Sequence, residues 1–205
     1  KNSQYTKLET TCYAPTIMGP FHYLPFLECN HAIISLRHHI TGSLKVNNQK
    51  FQIIGDGYIE KDWGRSFPQD YLWLQSNSCK EKEASLFLSI AKIPLLACSF
   101  QGLIMNLLVD DQQIRVATYY GARVKDMFTR EGYHYLIISQ HPHTFYLKIK
   151  AGHRFELKSP QSGKMNGYVE ESLNALAVLL VYKKNKKVAK FNFINCGFEL
   201  FGNWL

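Results

Sequence analysis

The chain has 205 residues, 46% hydrophobic and 20% charged, which excludes a disordered chain and suits one large or two small globular domains. Its net charge of +8 would suit nucleic acid or an anionic surface, but the cations are scattered and no nucleic-acid-binding motif accompanies them. A nucleic-acid partner is therefore set aside. Cys12, Cys29, Cys79, Cys98 and Cys196 are odd in number and lack C-x-x-C spacing, which argues against a disulfide framework or a zinc ribbon. No apolar run reaches the ~18–20 residues of a spanning helix, and no secretory signal is read at the start. A cytoplasmic protein is expected, with peripheral contact at a membrane left open. Aromatic residues at 14% suit a β-rich fold or one lined for an apolar ligand.

In chain order, residues 1–17 are polar with one proline and read as a poorly packed lead-in or an edge strand. Met18 to Asn30 carries Gly19-Pro20, Pro25 and the aromatics Phe21, Tyr23 and Phe26. Its prolines forbid a central strand and argue against a helix interior, so a buried aromatic loop is expected. Strands follow over Ala32–Ile40 and Ser43–Val46, separated at Thr41-Gly42 by a bulge or tight turn. Asn47-Asn48 reads as a hairpin tip before Phe51–Ile54, and Gly55-Asp56-Gly57 as a break.

The next stretch, Gly57-Tyr58-Ile59-Glu60-Lys61-Asp62-Trp63-Gly64-Arg65-Ser66-Phe67-Pro68, concentrates acids, cations and aromatics on a strand running into a turn. Strand alternation puts Tyr58, Glu60 and Asp62 on one face and Ile59, Lys61 and Trp63 on the other. The two carboxylates then lie about 7 Å apart along the strand. Enclosed, such a pair would push one carboxyl towards protonation; open to water, it would be an ordinary pair of surface acids beside Lys61 or Arg65.

Tyr71–Asn77 and Ser85–Ile93 read as strands around a charged tip at residues 80–83. Ala97–Val109 pairs with Ile114–Ala122, and Tyr133–Gln140 with Thr144–Lys150. Phe155–Leu157 is short, and Val178–Tyr182 pairs with Val188–Phe193 across the lysine-rich tip at 183–187. Cys196–Phe201 closes the pattern. Only Val169–Ala177 has a helical look. Strands spaced at about 8–12 residues and joined by short turns indicate an all-β antiparallel meander closing on itself, with room inside for one apolar ligand.

The block Gly57 to Pro68, continuing through Tyr71-Leu72-Trp73-Leu74-Gln75-Ser76-Asn77, resembles the tocopherol cyclase family and its bacterial relatives. Met18 to His31 is similar to a second block of that family, and Gly163-Lys164-Met165 to Glu170-Glu171-Ser172 to a weaker third. The resemblance implies lipocalin-like β-barrels: the latter part of a first barrel over residues 1–69, and a second over 70–205. The aromatic N-terminal strands of longer family members have no counterpart here.

It also implies an isomerase-type cyclase that protonates an isoprenoid double bond so that a phenol oxygen attacks the cation. Aromatic faces would stabilise that cation, and water must be kept out. On that basis Asp62, Glu60 and His31 are the acid candidates. Tyr58, Trp63, Trp73 and Phe21 are candidate walls, and Arg65 a head-group contact. A non-catalytic carrier of a hydrophobic ligand remains the alternative, and a loop hydrogen bond remains the plainer role for His31. No cofactor or metal is read: His38-His39 face opposite sides of a strand, and His141-Pro142-His143 suits a surface tip.

Overall fold

The computed structural model describes residues 5–25, 27–95 and 98–203. Phe26 of the expected loop, Ala97 at an expected strand start and residues 1–4 lie outside them. The described chain is all-β and antiparallel. It opens with a long ribbon, β1 (Cys29–Val46) against β2 (Gln49–Gly64). The ribbon turns at Asn47-Asn48, whose φ values of 46° and 67° suit the left-handed residues of a two-residue hairpin.

A larger sheet follows, built from β3 (Tyr71–Ser76), β4 (Ser78–Cys79), β5 (Ala84–Leu95), β6 (Cys98–Val109), β7 (Gln112–Ala117), β8 (Arg123–Arg130), β9 (Tyr133–Gln140), β10 (His143–Lys150), β11 (Arg154–Gln161), β12 (Lys164–Lys183) and β13 (Lys186–Phe201). Its main path runs β7-β6-β5-β3-β13-β12-β10-β9-β8. Among the described residues no backbone ladder joins the two end strands. Instead the Gln140 side chain of β9 spans to β7, accepting from Ala117 N at 3.0 Å and donating to Arg115 O at 3.0 Å.

The sheet curls around one apolar core to which almost every long strand contributes. On β3, Leu72 and Leu74 point into it while Tyr71 and Trp73 point out. Phe145, Phe193 and Phe198, each at most 2% exposed, fill the interior together with leucines and isoleucines. The expectation of an apolar ligand inside the barrel is therefore overturned: a sheet of this girth has an interior that large side chains close at ordinary packing density.

The ribbon lies over the outer face instead. Ile33 and Leu36 of β1, with Leu8 and Ile17, pack on Phe87 and Leu108, which point outward from β5 and β6. Residues 5–17 are thus better packed than their composition suggests. They strap the ribbon to the sheet through Leu36 N→Thr6 O at 2.8 Å, Gln113 Nε2→Lys7 O at 2.8 Å and Tyr119 Oη→Ile17 O at 2.8 Å. The loop that follows forms a 3₁₀ turn over Gly19–Tyr23; its Tyr23 ring is exposed while Phe21 is half-buried.

Three further local expectations are corrected. Residues 169–177 form no helix but belong to β12. Register shifts between Ser172 and Ala175, and between Ala175 and Ala177, stretch the buried spacing to three residues and imitate a helical period. Neither Thr41-Gly42 nor Gly55-Asp56-Gly57 interrupts its strand, because these glycines sit in the ladder opposite Ile53, Ile40 and His38. Gly57 is glycine because a β-carbon there would run into the His38 ring, not because the chain turns. Phe155–Leu157, finally, extends to the full length of β11.

Replacing Phe145 by Ala should cost about 3–5 kcal/mol of unfolding free energy, measurable by urea denaturation.

Candidate functional site

The pairing of β1 with β2 builds the site. Its register sets His31 directly opposite Asp62 and Ile33 opposite Glu60, so His31 meets both acids on one face of the ribbon. His31 Nδ1 makes a short hydrogen bond to Asp62 Oδ1. Nε2 lies 3.4 Å from Glu60 Oε2 but off the line of a hydrogen bond, and this buried nitrogen has no hydrogen-bond partner among the described residues. Glu60 accepts from Tyr58 Oη at 2.5 Å and from Trp73 Nε1 at 3.4 Å. The His31 ring stacks on Phe87, centroids 4.9 Å apart, and its backbone N–H donates to Met18 Sδ at 3.0 Å.

This cluster opens on a cavity of about 150 Å³ between the ribbon and the outer face of the sheet. The walls are largely apolar: Met18, Phe21, Phe67, Trp73, Ile93 and Phe100 contribute, and Phe21 stacks on Phe100 with centroids 5.2 Å apart. Such a volume takes a ring-sized group. A second polar pair faces the cluster across the cavity. Glu199 of β13 accepts from Tyr71 Oη at 2.5 Å, and both residues line the space. Gly197 makes room for this wall, since a β-carbon there would come within 2.7 Å of the Trp73 ring.

Residues 7–93, which hold the ribbon and all of the His31–Glu60–Asp62 cluster, match the family model described as tocopherol cyclase-like. This part of the chain is similar to that family. No curated protein matches the chain in sequence. Among solved structures, CghA with Sch210972 is similar in fold at 7% identity and a TM-score of 0.51, covering 85% of this chain and 55% of that one. Kievitone hydratase from Nectria haematococca is also similar, at 12% identity and a TM-score of 0.46, covering 85% of this chain and 53% of that one. The chain thus spans about half the length of each.

Within the matched residues, the fold gathers His31, Glu60 and Asp62, with Trp73 and Phe21 on the cavity wall and Tyr58 behind Glu60. It does not bring Trp63 or Arg65 there. Trp63 is 40% exposed on the opposite face of β2 and stands beside Lys61, as alternation requires. Arg65 follows the last ladder pair and is exposed, its backbone N–H donating to Glu28 O at 2.8 Å. Sequence spacing offered no metal site, yet the ligand atoms of His31, Glu60 and Asp62 lie within 4.8 Å of one another. A cation held there would first have to displace the proton between His31 and Asp62.

Glu199 and Tyr71 were not singled out by the sequence reading. The signal for Glu199 is a lone acid inside the apolar run Phe198-Glu199-Leu200-Phe201.

Burial pulls the His31 imidazole down, but its hydrogen bond to Asp62 and the charge attraction of Asp62 and Glu60 outweigh that and raise it to about 9. Burial, and then the Asp62 and Glu60 charges, push the Cys29 thiol up to about 12. Burial also drives Tyr58 and Tyr71 upward, each reinforced by the carboxylate it bonds. Glu199 is raised to about 7 by burial and by Glu171, Glu60 and Asp62, against the lowering effect of the Tyr71 hydrogen bond.

His31 and Glu199 therefore bind protons more tightly folded than unfolded. The stability contributed by His31 is complete below pH 6.5 and is lost as pH rises through about 9; that of Glu199 is complete below 4.5 and lost through about 7. The urea midpoint should fall between pH 6.5 and 9. Asp62→Asn should reduce that fall and lower the His31 midpoint in an imidazole NMR titration; an unchanged midpoint would contradict the pairing.

Proposed function

We propose that the chain is a tocopherol-cyclase-like catalyst that uses general acid catalysis on an apolar isoprenoid or prenylated quinol. The observation that carries this reading is a hydrogen-bonded, proton-holding His31–Asp62 pair opening on an aromatic, largely apolar cavity. Asp62 holds Nδ1 and fixes the ring, leaving Nε2, which has no hydrogen-bond partner among the described residues, as the proton donor. Delivery of that proton to the alkene, concerted with attack by the phenol oxygen, avoids a free cation and suits a donor of moderate acidity. The Glu60 carboxylate and the Trp73 ring on the cavity wall then stand beside the developing positive charge. The apolar walls limit the water that would trap it.

The family match over residues 7–93 supports this reading. The reaction is an isomerisation by proton transfer, so it calls for no cofactor. We also propose residues 1–69 as the latter part of one lipocalin-like barrel and 70–205 as a second, in keeping with separate sheets either side of residues 65–70. The partner we propose is a small apolar molecule. A cytoplasmic setting accords with a chain in which no described helix is long and apolar enough to cross a membrane.

The test uses a prenylated hydroquinone with the purified chain. Asp62→Asn should lower conversion to the cyclised ether about 10²–10⁴-fold while the hydroquinone still binds. Binding with no turnover in the unsubstituted protein would instead make it a carrier of a hydrophobic ligand. Unchanged turnover in the variant would remove Asp62 from the chemistry.

A further inference from the structure

We propose that Glu199 is the proton acceptor of the same cavity, receiving the substrate hydroxyl proton with Tyr71 as its hydrogen-bond partner. The inference rests on the cyclase reading above and extends it: one wall gives a proton and the facing wall takes one.

The placement is specific. On the outer face of the sheet, Glu199 of β13 pairs with Glu171 of β12 on one side and Trp73 of β3 on the other. It lines the cavity together with His31, Glu60 and Asp62, and Tyr71 Oη donates to its Oε2 at 2.5 Å. Tyr71 is itself fixed between Phe67 and Phe201, centroids 6.0 and 5.9 Å away. No ion pair among the described residues includes Glu199 or Glu171. The charged or titratable groups that act on Glu199 are Tyr71 on β3, Glu171 on β12, and Glu60 and Asp62 on β2, and Cys29 and His31 of β1 line the same cavity. A half-buried acid with carboxylates for neighbours and no cation paired to it among the described residues is costly as a purely structural feature. It is the environment that keeps a carboxyl poised between its two forms near neutral pH.

The step balances without an oxidant or reductant. The alkene π pair takes the proton of His31 to form a C–H bond, and a phenol oxygen lone pair closes the C–O bond. The phenol O–H breaks and its proton passes to the Glu199 carboxylate. His31 is left neutral and Glu199 protonated, and exchange with solvent resets both.

An acceptor must be ionised, so turnover should rise as pH passes through about 7. With the prenylated hydroquinone as probe, Glu199→Gln should lower kcat about 10²–10⁴-fold with the dissociation constant unchanged, and should abolish the rise near pH 7. Glu199→Asp should restore part of the rate. Tyr71→Phe removes the hydrogen bond that lowers Glu199, so the rise should move to higher pH. If Glu199→Gln keeps both rate and pH profile while Asp62→Asn loses turnover, Glu199 is not the acceptor and the cyclase reading stands. If neither variant alters turnover, neither residue takes part in the chemistry and this inference is overturned; if the unsubstituted chain binds the probe without converting it, the cyclase reading fails and this inference with it.

Discussion

The site depends on one protonated imidazole, His31, set against two acids. Two carboxylates on the same face of a strand, covered by a second layer, would repel one another and resist burial. The register of β1 against β2 places an imidazole opposite them and resolves that conflict. The charge balance in turn holds the ribbon in register, because a shift of one residue would turn His31 to the far face and leave Glu60 and Asp62 uncompensated. Ribbon geometry and acid–base chemistry are thus one constraint seen from two sides.

The second constraint is volume. The barrel interior is occupied by its own phenylalanines and leucines, and the apolar cavity beside His31 lies where a second layer covers the outer face. The strap of residues 5–17 and the small apolar cluster around Phe87 set the separation of the layers. Trp73 and Tyr71 point into that gap because Leu72 and Leu74 point the other way.

Much of this was legible in the sequence. Alternation sorted Tyr58, Glu60 and Asp62 from Trp63, and turn chemistry located the Asn47-Asn48 and lysine-rich tips. Other features were hidden for physical reasons. Register between strands 29 residues apart in sequence, as His31 and Glu60 are, leaves no local trace, so nothing in the spacing joined them. Bulges in β12 disguised a strand as a helical pattern, and ladder glycines passed for breaks. Glu199 required knowing which face of β13 meets the cavity, and that depends on pairing with β3 and β12.

Because neighbouring residues on β3 serve opposite faces, the two tasks of this sheet are carried by alternate letters of the same short word, Tyr71-Leu72-Trp73-Leu74. Even-numbered positions keep the barrel together, and odd-numbered ones furnish the ligand space. A descendant of this chain can therefore exchange its chemistry one letter at a time without repacking what holds it folded.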